Sequence, residues 1–218
     1  MKSVVGALLL TLCVAGSASA QGVVRRQPSG TPAISIRLFG LVSAQSFDAK
    51  NTFDAVFGST GGVFYGGGVE IVHPSGLFVD LEASYFSKTG QRAFVNDGQT
   101  FQLGVPLTVT MVPLDAMVGY ELRRQRWRFL PYVAAGITSV GYKETSDFSE
   151  PGDDVDARQV GYIVAGGVRV RVSPRFSVSV DAADSRVTGI LGEGGLSQQF
   201  GEKNLGGVSG RVRVIIGR

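Results

Sequence analysis

His73 is the single histidine of the chain and Cys13 the single cysteine, so acid–base and nucleophilic chemistry have few places to reside. A serine hydrolase needs an imidazole within reach of a nucleophile and a carboxylate. His73 instead precedes Pro74-Ser75-Gly76, the composition of a tight turn, and a turn residue is its expected role. One Cys and one His also exclude a disulfide framework and a Cys/His zinc cluster. Glu144, Asp147, Glu150, Asp153, Asp154 and Asp156 crowd one segment, and such oxygens suit Ca²⁺ or Mg²⁺. Their spacing fits no EF-hand, and a hydrated acidic loop is the preferred reading. Ser87-Lys88-Thr89-Gly90 lacks the upstream glycine of a phosphate-binding loop. No catalytic residue, metal ligand or cofactor is assigned, and no enzymatic activity is expected.

The remaining ionisable residues are patterned differently. Arg37, Arg169, Arg171, Arg211 and Arg213, with Glu70, Asp80, Glu82, Asp115, Glu121 and Asp181, lie within alternating segments, on the parity opposite the apolar side chains. Similar numbers of arginines and carboxylates suggest an enclosed, ion-paired interior, where the planar guanidinium is favoured over the lysine ammonium. The lysines beyond the first few residues, Lys50, Lys88, Lys143 and Lys203, all fall between such segments.

The segments themselves repeat with a period of two, the mark of strands. Ile34, Ile36 and Leu38 begin the first. Val63, Tyr65, Val69 and Ile71 mark the second, Leu77 to Tyr85 the third, and Leu107, Val109 and Met111 the fourth. At Pro113 the apolar parity of the fourth switches to Leu114, Ala116, Val118 and Tyr120, which predicts a β-bulge there. The fifth carries Tyr132, Ala134, Thr138, Val140 and Tyr142, leaving Val133, Ala135 and Ile137 to face inward. The sixth runs through Val160 to Val172, the seventh through Phe176 to Ala182 and the eighth through Val208 to Ile216. Connections alternate between long and short, as in an antiparallel meander with tight turns at one end and large loops at the other. A short helix is expected within 46–57, and Asn96-Asp97-Gly98 is read as a turn that extends the second hairpin.

Alternation alone does not say which face is outside. The six tyrosines decide it: Tyr65, Tyr85, Tyr120, Tyr132, Tyr142 and Tyr162 share the apolar parity near strand ends, with Trp127, Phe129 and Phe176 adding to the turn side. Aromatic residues at both ends of an apolar band are what two membrane interfaces require. The expected fold is therefore all-β, an eight-stranded antiparallel up-and-down transmembrane β-barrel, each strand being long enough to cross a bilayer. A soluble periplasmic ligand-binding β-barrel is the alternative that writes the same alternation. Phe64, Phe78 and Phe86 on the inner parity leave room for a further alternative, a narrow porin or hydrophobic-solute conduit.

The chain begins like a secretory leader: Lys2, an apolar stretch from Val4 to Ala15, and Ala18-Ser19-Ala20 as cleavage site. The expected organisation is a signal peptide over 1–20, a flexible lead-in over 21–32 and the barrel domain over 33–218. With 44% hydrophobic and 18% charged residues, and 21 Lys and Arg against 18 Asp and Glu, the composition shows no nucleic-acid footprint. The basic stretch Arg123-Arg124-Gln125-Arg126-Trp127-Arg128 is read as an anchor to anionic lipid head groups. No stretch beyond the leader is apolar enough for a transmembrane helix.

Leader, eight tyrosine-tipped strands, short turns and long loops, with Ser87-Lys88-Thr89-Gly90-Gln91-Arg92 and Gly201-Glu202-Lys203-Asn204-Leu205-Gly206-Gly207, resemble the small bacterial outer-membrane β-barrel family of the OmpA transmembrane-domain, OmpX and OmpW type. The resemblance implies a monomer in the bacterial outer membrane, surrounded by outer-membrane lipids and inserted by the barrel-assembly machinery. It also implies termini in the periplasm and long loops outside, free to meet an extracellular partner. The role expected on this basis is structural or one of surface interaction. The last strand departs from the family by ending Ile216-Gly217-Arg218 rather than on an aromatic residue.

Overall fold

The computed structural model describes residues 34–96, 99–123, 128–146, 155–192 and 195–217. The leader and lead-in, Trp127 with Arg124 to Arg126, most of the acidic loop, and Asp97-Gly98 lie outside the described residues. Eight strands follow in order: β1 (Ser35–Phe47), β2 (Gly61–Val72), β3 (Leu77–Asn96), β4 (Gln99–Glu121), β5 (Phe129–Thr145), β6 (Val155–Arg171), β7 (Phe176–Arg186) and β8 (Gly207–Gly217). Each pairs antiparallel with its neighbour in sequence, and β1 pairs with β8 from Arg37↔Gly217 to Phe47↔Gly207, which closes the barrel. Closure leaves no sheet edge along the wall, so every strand there satisfies its backbone in both directions.

All eight strands present exposed apolar side chains outward, including Leu38, Tyr65, Leu81, Val118, Ile137, Val164, Val180 and Val212. A continuous apolar exterior of this extent would be costly in water and is matched by hydrocarbon. Inside, small residues make room for large ones. A Cβ on Gly68 would lie 2.6 Å from the Phe39 ring, so glycine at this site lets the aromatic ring fill the barrel. Gly76, at φ +98°, supplies the left-handed residue of the β2–β3 turn.

β5 is oriented opposite to the sequence expectation. Val133 is 66% exposed and Ile137 60%, while Tyr132 and Tyr142 are each 5% exposed and face the lumen. Directly paired residues share a face of the sheet, and Val133 pairs with the exposed Tyr120 whereas Tyr132 pairs with the buried Glu121. Apolar content does not choose between the two parities of β5, so its neighbours do. The predicted bulge at Pro113 is also absent. The β4–β5 register runs unbroken through Pro113↔Val140, and Leu107, Val109 and Met111 are buried in the lumen instead of lying outside. The strand keeps its phase while the chemistry of its inner face changes. The register shift lies higher, between Gln91 and Ala93 against β4.

Two helices occupy the loop end, α1 (Lys50–Phe57), within the span where a short helix was expected, and α2 (Gly195–Gln199). Beyond Tyr85 the pairing of β3 with β2 ends, and past Thr89↔Thr108, where β4 also leaves β5, β3 and β4 continue as a two-stranded ribbon through Asn96↔Gln99.

Candidate functional site

The lumen is layered. Nearest the turns lies a layer of Arg37, Glu70, Glu121 and Arg169. Arg169 is 2% exposed and bridges both glutamates, reaching Glu70 at 2.5 Å and pairing with Glu121 through its other terminal nitrogen. Arg37 contacts Glu70 at 3.0 Å and Glu121 at 3.5 Å. Arg123 donates from Nε to Glu121 at 2.9 Å, and Arg171, at the rim, lies 3.9 Å from the same carboxylate.

Above it, Arg211 and Arg213 serve Asp80, Glu82 and Asp181. Arg213 reaches Asp80 at 2.5 Å, Glu82 at 3.0 Å and Asp181 at 3.6 Å, while Arg211 pairs with Asp181 and lies 3.7 Å from Glu82. Asp115 is buried beside Glu82, its partner across β3–β4. The structure thus brings ten of the eleven singled-out strand charges inside, while Arg171 lies exposed at the rim. Desolvation makes each ion expensive to bury, so the arrangement holds only while every partner is present.

The aromatic set divides. Tyr65, Tyr85, Tyr120 and Tyr162 are exposed on the apolar wall, and Phe176 sits half-buried there beside Ile216. Tyr132 and Tyr142 leave the proposed girdles for the lumen: Tyr132 donates to Asp181 at 2.5 Å and Tyr142 donates to Glu144. A buried phenol needs an acceptor, and these carboxylates provide one. Tyr132→Phe should therefore cost about 1.5–3 kcal/mol in unfolding free energy, as expected for a buried bond to a charged group. Denaturant titration of the lipid-reconstituted protein measures this; a cost near zero would return Tyr132 to the outer surface.

The third layer, toward the loops, is apolar. Phe47, Phe53, Phe64, Phe86, Leu107, Val109, Met111, Val140 and Val187 form one buried cluster. Phe47 stacks on Phe53 of α1 at 3.9 Å and meets Phe86 edge-on at 5.8 Å. Of this cap, Phe64 and Phe86 are the residues whose strand parity already faced them inward. Ala49 at the start of α1 offers no capping side chain; Glu202 does so from the last loop, accepting from the Asn51 and Thr52 amides at 2.9 Å and from Thr52 Oγ1 at 2.6 Å. A pairing across this separation leaves no local signature. A cavity of about 50 Å³ remains between the apolar and charged layers, bordered by Asp115, Thr138 and Arg211. A wider one of about 530 Å³ opens at the loop end among Val56, Leu107, Glu144, Ile190 and Leu196.

A closed antiparallel barrel with an apolar wall and a charged interior defines an integral outer-membrane β-barrel. The chain belongs to the outer membrane protein beta-barrel domain family, whose signature matches residues 7–204. No curated protein sequence matches it. Among solved structures it is similar to Neisserial surface protein A, at 12% identity over 84% of this chain and 95% of that one, with a TM-score of 0.51. It is also similar to a major outer membrane protein from Thermus thermophilus, at 11% identity over 84% and 99%, with a TM-score of 0.50. The attachment invasion locus protein Ail of Yersinia pestis, in complex with the heparin analogue sucrose octasulfate, gives 8% identity over 86% and 99% and a TM-score of 0.50. At these identities the likeness is one of fold.

Proposed function

We propose that the protein is a non-enzymatic, non-conducting outer-membrane barrel that acts through its loop end, as a structural element or by contact with a partner at the cell surface. The observation that carries this reading is the filled lumen: an ion-paired layer under an apolar cap leaves only a small cavity between them. Eight strands enclose little more than their own side chains. What stands free of the filled wall is the loop end, where the β3–β4 ribbon carries Phe94 and Phe101 stacked at 5.3 Å and exposed, with Leu103 exposed beside them. Exposed aromatic side chains beyond a membrane wall suit an interaction surface better than a lining. The long loops face outward, the turns and termini face the periplasm, and a cleaved leader delivers the chain.

In planar bilayers the purified barrel should show no discrete conductance steps. Steady unitary currents from the unmodified protein would overturn this reading in favour of a narrow porin. The apolar upper lumen favours one second reading, a hydrophobic-solute conduit. Uptake of an apolar solute into vesicles that contain the barrel, while ionic current stays silent, would select it.

A further inference from the structure

The turn-end layer carries more positive than negative charge. Among the described residues four guanidiniums, those of Arg37, Arg123, Arg169 and Arg171, face two carboxylates, Glu70 and Glu121. The carboxylates are closed off, with side-chain exposures of 2% and 0%, whereas Arg123 is 24% and Arg171 43% exposed. The surplus therefore lies on the solvent side of the layer. Arg123 Nη2 is buried without a hydrogen-bond partner among the described residues, although its own Nε is satisfied by Glu121. A buried donor left this way calls for an acceptor. Arg128 and Arg175 are exposed at the same end, and no exposed carboxylate lies among the described turn residues there. The opposite surplus, in the layer of Asp80, Glu82, Asp115 and Asp181, sits deeper in the lumen and is closed off from this opening.

We infer that the turn-end mouth of the lumen is an anion site for a phosphate group, with Arg123 and Arg171 as its binding residues. Planar guanidinium forks match phosphate oxygens, and a tetrahedral anion at this mouth would give Arg123 Nη2 its acceptor. The phosphate comes either from a lipid head group at the membrane surface or from free phosphate. This site is independent of what the loop end contacts, since it lies at the opposite end of a filled barrel.

The test uses the full barrel in dodecyl maltoside micelles, which carry no phosphate, titrated with inorganic phosphate and followed by calorimetry. Saturable binding is expected, weakened about tenfold or more in the Arg123→Gln/Arg171→Gln variant. Arg37 and Arg169 still pair Glu121 in that variant, and heat-dependent gel mobility reports its fold. Should it fail to fold, Arg171→Gln alone serves, because its one ion contact among the described residues is the 3.9 Å approach to Glu121. Adding phosphatidylglycerol to the micelles separates the sources: suppressed phosphate binding identifies a lipid head group as occupant, and undiminished binding identifies free phosphate. No saturable binding to the unmodified barrel, or equal binding by the variant, overturns the inference.

Discussion

Arg169→Met should remove about 3–5 kcal/mol from the unfolding free energy of the barrel, the loss expected when one member of a buried ion-pair set is taken away. Arg169 joins β6 to β2 and to β4 through Glu70 and Glu121, and both glutamates are closed to solvent. After the substitution Glu70 retains Arg37, and Glu121 retains Arg37 and Arg123, but each loses its closest partner and remains desolvated. The damage is thus the lost closest partner of two carboxylates that stay desolvated, which gives a second, sharper expectation. Adding Glu70→Gln to Arg169→Met should recover part of the loss, because it removes a buried carboxylate left with Arg37, which Glu121 shares. Urea unfolding in lipid vesicles, read by gel mobility, measures both variants. A single-substitution cost below about 1 kcal/mol would mean that water reaches this layer and screens it.

Phe47→Ala should cost a similar amount, about 3–5 kcal/mol, by a different route. The ring is fully buried, stacks on Phe53 and meets both Phe64 and Phe86. Its removal leaves a void in a layer that has little means of collapsing, since its walls are strands held by the barrel ladder. The same ring docks α1, so the substitution should also speed amide exchange across Lys50–Phe57, while β7 and β8, in the wall, stay protected. Loss of stability without faster exchange in α1 would separate the helix from the cap. Polar and apolar layers thus stabilise the two ends independently, and the two substitutions should add when combined.

Strand number, pairing order and the inward position of the strand charges could all be read from alternation and connection length. Arg37, Glu70, Asp80 and Arg213 each sit on a parity whose other face is plainly apolar, so one local rule places them. β5 could not be read this way. Tyr132 and Val133 are both acceptable on an apolar wall, and only Glu121 and Asp181, on other strands, fix which of them turns inward. The same limit hid the third layer: Leu107, Val109 and Met111 have the composition of a lipid-facing strand, and their burial follows from Phe47 and α1 folding back over the lumen. Glu202 at the start of α1 is likewise visible only once distant segments meet. Periodicity reports the sheet; it does not report what fills it.

The β3–β4 ribbon stands apart from the constraints that bind the rest of the chain. Its outermost pairs, Phe94↔Phe101 through Asn96↔Gln99, take no part in the ladders that close the barrel. A gain or loss of residues at that tip changes neither the shear of the wall nor the charge balance of the lumen. Evolution can therefore lengthen, shorten or rewrite it at almost no cost to insertion in the membrane. Within one lineage the wall would then be inherited nearly intact while the tip diversifies.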